Sequence, residues 1–306
     1  MNRIRTATGA LLWSLWTELG LPGAERHHSH LLSDPEPLIV FTPFLAASDS
    51  RLLGLVFDWC AAHADHLSVT RIKALADTVP EDVRQSLMRF NGALEREGIR
   101  WSPTGSPGPF EVGRRRMALP LERPSLLRLR LRFLAGVSAR AEVLTELLVA
   151  GRTRLSSEEL AIPGITRRST DRVIAELVKG GFLTVHGKQR GRRFSLINQN
   201  ALSSLFGHGR EIPLSAPMNW HALLQAVVLM HFLQGIDGLQ ESVRRVEAVR
   251  LRHSLAQNLK AIRQDPPPVV TGRMDAFLLL LDWCVALVSG WADGRPGLAG
   301  EHLRPG

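Results

Sequence analysis

The sequence predicts a mainly α-helical protein in which a small central module of helices and one β-hairpin is flanked by N- and C-terminal helical domains. Three observations carry this. Apolar residues recur at helical spacing on both sides of the centre, while only two short β runs appear, near residues 182–185 and 194–197. The 306-residue length exceeds one minimal module. With 44% hydrophobic and 22% charged residues, the chain has the balance of a protein that buries real cores.

The elements follow in order. Residues Thr6 to Leu19 place Leu11, Leu12, Trp13, Leu15, Trp16 and Leu19 at helical spacing, and Pro22-Gly23 stops that helix. Pro37 to Phe44 is a short apolar segment. Arg51 to Ala64 repeats the helical pattern through Leu52, Leu53, Leu55, Val56, Trp59 and Cys60. A further helix opens at Ser68 or Thr70, where a hydroxyl can cap free amides. Another follows Pro80, with Glu81 and Asp82 in a first turn that favours anions. Together these form an N-terminal helical domain, residues 1–101. Ser102-Pro103-Thr104-Gly105-Ser106-Pro107-Gly108-Pro109 can continue neither a helix nor a packed strand, so residues 102–124 are assigned as a linker.

The central module, residues 125–205, begins with an arginine-studded helix from about Ser125 to Leu134. From Ala139, Val143, Leu144, Leu147 and Leu148 form one face of a helix ending near Ala150-Gly151. Ser156 caps a short second helix with Glu158 and Glu159 in its first turn, and Pro163-Gly164 breaks it. Thr166 caps a third helix, Arg167 to Lys179. Its Val173, Ile174, Leu177 and Val178 face inward, while Arg167, Arg168, Ser169, Thr170 and Arg172 crowd its outward N-terminal half. Gly180-Gly181 ends it. Phe182 to Val185 and Phe194 to Ile197 then read as strands joined by the basic loop His186-Gly187-Lys188-Gln189-Arg190-Gly191-Arg192-Arg193. A C-terminal helical domain, residues 206–306, follows, with helices around Trp220 to Leu233, Leu239 to Arg263 and Met274 to Trp291. The last of these is nearly apolar all round and is expected to be buried in its own domain or against a second subunit.

The charge is lopsided. Residues 111–193 hold 18 Lys and Arg against 8 Asp and Glu, a net of +10, whereas the flanks together carry −1. Only Lys73, Lys179, Lys188 and Lys260 are lysines, so 34 of 38 cations are guanidinium groups suited to bidentate phosphate contacts.

Helix, short helix, turn, basic helix, glycine pair and basic-tipped hairpin, in that order, resemble the winged helix-turn-helix domains of bacterial transcriptional regulators of the MarR and ArsR type. The resemblance spans Ala139 to Ile197, roughly a fifth of the chain. It departs from the pattern at Ile162-Pro163-Gly164-Ile165, which replaces the usual small-residue turn. The resemblance implies double-stranded DNA as the partner, with Thr166, Arg167, Arg168, Ser169, Thr170 and Arg172 at the major groove. It places Lys188, Gln189, Arg190, Arg192 and Arg193 of the wing on phosphates or the minor groove. It also implies a homodimer, because one reading helix covers few base pairs. The flanking domains are then candidates to bind a small-molecule or protein effector. Gly113-Arg114-Arg115-Arg116 and the Arg128, Arg130, Arg132 series are candidates to extend the cationic patch; the latter also fits a strand edge or a solvated helix face.

Other motifs carry less. His27-His28-Ser29-His30 lacks Cys or carboxylate partners at ligand spacing and reads as a solvated loop, not zinc. Cys60 lies in an apolar stripe near His63 and His66, which favours packing over nucleophilic chemistry. No Walker loop, dinucleotide fingerprint, metallopeptidase helix or nucleophile elbow is present, so neither an enzyme nor a cofactor is expected. The tryptophans are expected in the core, and Asp58 and Asp282 are candidates for buried, hydrogen-bonded acids. Two distant cysteines, no secretory segment and no apolar run of membrane-spanning length point to the cytoplasm. Two alternatives stay open: a winged-helix protein-interaction module of antitoxin-like kind, and an enzyme built around Asp58, Cys60 and His63.

Overall fold

A computed structural model describes residues 3–23, 26–110, 113, 117–188, 191–207, 218–269 and 276–295. The N-terminal part holds α1 (Arg3–Glu18), α2 (Pro35–Leu45), α3 (Ser50–His63), α4 (Val69–Ala76) and α5 (Glu81–Arg96). The central part holds α6 (Leu127–Ala135), α7 (Ala139–Ala150), α8 (Arg167–Lys179), β1 (Leu183–His186), β2 (Arg193–Leu196) and α9 (Gln199–Phe206). Then come α10 (Trp220–Ile236), α11 (Glu241–Ala261) and α12 (Ala276–Ala292). The protein is mainly helical, with a small two-stranded antiparallel sheet. No described helix is long and apolar enough to cross a membrane.

Local chemistry explains the boundaries. Ser68, not Thr70, caps α4: its hydroxyl accepts from the Arg71 amide at 3.3 Å. Asp49 and Asn219 cap α3 and α10 in the same way. The apolar segment from Pro37 becomes a helix because Pro35 occupies the first turn, where its missing N–H costs nothing.

The helices on the two sides of the central module share one apolar core. α1 packs on α12, and α2 packs on α5 and α10. Amphipathic spacing shows that a face is buried but not against what, so this sharing is a tertiary fact. It also covers most of α12 within its own chain. Six of the seven tryptophans are buried, and Trp13 is half-buried. Trp16 and Trp59 meet edge-to-face at 5.3 Å, and their indole N–H groups donate to the Thr42 hydroxyl and the Leu19 carbonyl, each at 2.9 Å.

Residues 102–110 form neither helix nor strand, yet they are laid along α5. The Gly105 and Gly108 amides donate to the Met88 and Arg89 carbonyls, and the Asn91 amide donates to the Pro103 carbonyl at 2.8 Å. Gly92 permits that approach, since a Cβ there would lie 2.1 Å from the Gly105 oxygen.

A second apolar cluster fills the central part, drawing Leu127 and Leu131 from α6, Leu147 from α7, Val173, Ile174 and Leu177 from α8, and Leu183, Phe194 and Leu196 from the hairpin. The hairpin register pairs Leu183 with Leu196 and His186 with Arg193, and the Ile197 amide extends the pairing to the Phe182 carbonyl. Leu155 adds a third rung by exchanging both backbone hydrogen bonds with Phe194. Between that rung and Pro163, the expected second helix does not form. Ser156 and Glu159 do make the reciprocal capping box, at 3.2 and 2.8 Å, but the segment stays in turns. So few residues cannot offset the cost of nucleating a helix.

Candidate nucleic-acid interface

α8 is positioned from its start. The Thr166 hydroxyl accepts from the Ser169 amide at 3.3 Å, and Thr170, Val173, Ile174 and Leu177 bury one stripe. Helical geometry then puts Arg168, Arg172, Ala175 and Lys179 on the opposite ridge, all exposed. Lys179 was not among the residues singled out from the sequence, although its spacing from Arg168 and Arg172 places it on their ridge. Lys188 and Arg192 are exposed on the hairpin. Among the described residues, none of these five cations has an ion-pair partner. A groove of about 500 Å³ separates α8 from the hairpin, lined by Arg167, Lys179 and Arg192 with Ser156 and by the carboxylates Glu158 and Asp171, which Arg167 faces. Of the five cations, Lys179 from α8 and Arg192 from the hairpin face this concavity.

Other expected contacts lie elsewhere. Thr170 is 2% exposed and packs inward, because it falls on the apolar stripe. Thr166 and Ser169 use their hydroxyls on each other, 2.9 Å apart. Arg167 is exposed but faces Glu158 at 3.5 Å and Asp171 at 3.8 Å. Arg193 donates to the Arg154 carbonyl and to Glu159, at 2.8 and 3.1 Å. Gln189, Arg190 and Arg114-Arg115-Arg116 lie outside the described residues.

The Arg128, Arg130, Arg132 series does not extend the surface patch. Arg130 turns back onto the Leu121, Arg123 and Phe206 carbonyls. Arg128 and Arg132 are buried in a layer with Arg71, Asp34, Glu36, Glu142 and Glu146. Arg132 donates to Glu36 at 2.6 and 3.0 Å and to Glu142 at 2.7 Å, while Arg128 bonds Glu142 and reaches Glu146 at 2.8 Å. Burial pushes the Asp34 and Glu142 carboxyls up, but the arginines around them outweigh it and hold both below the usual carboxylate range. At Glu146 burial wins over Arg128, and the carboxyl stands above that range.

His28 is buried, not solvated: its Nε2–H donates to the Trp291 carbonyl at 2.7 Å and its Nδ1 accepts from the Ser14 hydroxyl at 2.7 Å. Desolvation lowers its pKa to about 4. Asp58 is buried and accepts from the Gly113 amide, whereas Asp282 is exposed and pairs with Arg3 at 2.8 Å. Cys60 and Cys284 are buried free thiols, both raised by burial. Among the described residues, no group of three or more His, Cys, Asp and Glu side chains is placed to hold a metal. No protein-family model, curated protein or solved structure matches this chain.

Proposed function

We propose that the central module is a winged helix-turn-helix that binds double-stranded DNA, and that the chain is a sequence-specific transcriptional regulator acting in the cytoplasm. The observation that carries this reading is the placement of five exposed cations without ion-pair partners among the described residues. Arg168, Arg172 and Lys179 lie on the outward ridge of α8 and Lys188 and Arg192 on the hairpin, and Lys179 and Arg192 line the groove between the two elements. A helix about 10–12 Å across fits a major groove, and guanidinium forks match guanine edges and phosphates. The hairpin tip then meets the backbone or the minor groove. A homodimer would double the short site that one α8 can read.

Selection from a pool of randomised duplexes, with wild type and Arg168→Ala/Arg172→Ala, tests the proposal. Wild type enriches a defined sequence and the double variant loses that preference; enrichment of the same sequence by both would refute the role of α8. A protein-interaction module is the second reading. It is favoured by Phe182 and Ile197, which pair across the outer base of the hairpin and are 54% and 39% exposed. On that reading Phe182→Ser abolishes function while duplex binding, if any, is unaffected.

A further inference from the structure

The buried arginine-carboxylate layer ties α2 and α4 to α6 and α7, and one of its members reaches beyond it. Arg71 belongs to α4 and is 1% exposed. Its Nη1 and Nη2 grip Asp34 at 2.9 and 2.8 Å, and Nη1 also donates to Glu36 at 2.7 Å. The remaining nitrogen, Nε, donates to the Pro163 carbonyl at 3.0 Å. That carbonyl sits in the turn leading directly into Thr166, the cap of α8. The next residue, Gly164, adopts φ +80° and backs onto α4, where an added Cβ would lie 3.2 Å from the Arg71 Cα and carbonyl oxygen.

The carboxylates that hold Arg71 are themselves fixed. Glu36 accepts from Arg132 and from the Ser68 amide at 2.8 Å, so the guanidinium cannot drift without breaking several buried charge-assisted bonds. A planar guanidinium can hold two carboxylates and a carbonyl at once. An ammonium in its place keeps the charge but lacks that fork geometry.

We infer that Arg71 is a positioning residue: by clamping the Pro163 carbonyl it sets the direction in which the first turn of α8, with Arg168 and Arg172, leaves the helical body. The effect on DNA reading rests on the function proposed above, whereas the clamp itself does not.

Two variants of the full chain test it. Arg71→Lys removes the fork, and Gly164→Ala leaves every charged group in place but strains the left-handed turn and crowds it against α4. Hydrogen exchange is followed at Ser169 and Thr170, whose amides donate to the Thr166 carbonyl, and at Gly180 and α5 as references. In both variants exchange at Ser169 and Thr170 rises about tenfold while Gly180 and α5 hold their rates. The duplex pool selected by wild type is then bound with less preference over a random-sequence duplex. Unchanged exchange at Ser169 and Thr170 overturns the clamp, and so does equal acceleration in α5 and at Gly180, which would mean general destabilisation. If wild type selects no duplex at all, the DNA reading falls and the exchange rates alone decide the clamp.

Discussion

Arg132 and Arg168 come from the same arginine-rich segment and meet opposite fates. Arg132 is fully buried between Glu36 and Glu142, whereas Arg168 stands on the outer ridge of α8 with no ion-pair partner among the described residues. The difference lies in what approaches each. Glu36, from a flank with almost balanced charge, and Glu142 hold Arg132 inside, Glu142 and Glu146 hold Arg128, and among the described residues no carboxylate pairs with Arg168 or Arg172. A surplus of +10 in one segment is therefore used twice, as internal cement and as a surface. Only the second use bears on a polyanionic partner.

The largest effect expected from that contrast is on stability. Arg132→Met removes one of the two guanidiniums that Glu36 and Glu142 share and costs about 3–5 kcal/mol, while Arg172→Met changes stability by less than about 0.5 kcal/mol. Urea denaturation of the two variants measures this, and equal losses would break the comparison.

Acid sharpens it next. His28 has its pKa lowered to about 4, so its contribution is full above pH 6.5 and is lost as pH falls from 6.5 toward 4. That loss is on the order of 3 kcal/mol. His63, His221 and His231, each lowered to about 4 by desolvation, add in the same direction. Asp34 and Glu142, held low, lose their contribution only at still lower pH. Glu146, held high, runs the other way and loses its contribution as pH rises through its folded value. Unfolding free energies at pH 7, 5.5 and 4.5 should fall steadily, and a flat profile would contradict the burial of the neutral histidines. A smaller effect is expected at the start of α8, where Thr166→Ala removes the cap and costs about 1 kcal/mol by thermal denaturation.

What could be read from the sequence was local. The Thr166 cap, the Val173, Ile174, Leu177 stripe and the hairpin all depend on residues within a few positions of one another. The Ser156–Glu159 capping box was equally legible, but the helix it announces is too short to form. Contacts over long range left no local trace. Arg132 finds Glu36 across 96 residues, so alternating Leu and Arg gave no sign of which arginines would turn inward. His28 looked solvated because its partners, Ser14 and Trp291, lie on α1 and α12. Thr170 is a polar residue on an apolar stripe, where residue type pointed outward and helical position pointed inward.

The salt dependence of binding to a random-sequence duplex tests the central claim most directly, comparing wild type with Arg168→Ala/Arg172→Ala/Arg192→Ala. If these exposed guanidiniums neutralise phosphates, the slope of log affinity against log salt falls by about 2–3 in the triple variant, since each lost contact releases roughly one fewer counterion. An unchanged slope would show that the ridge of α8 and the hairpin do not form the surface that meets DNA.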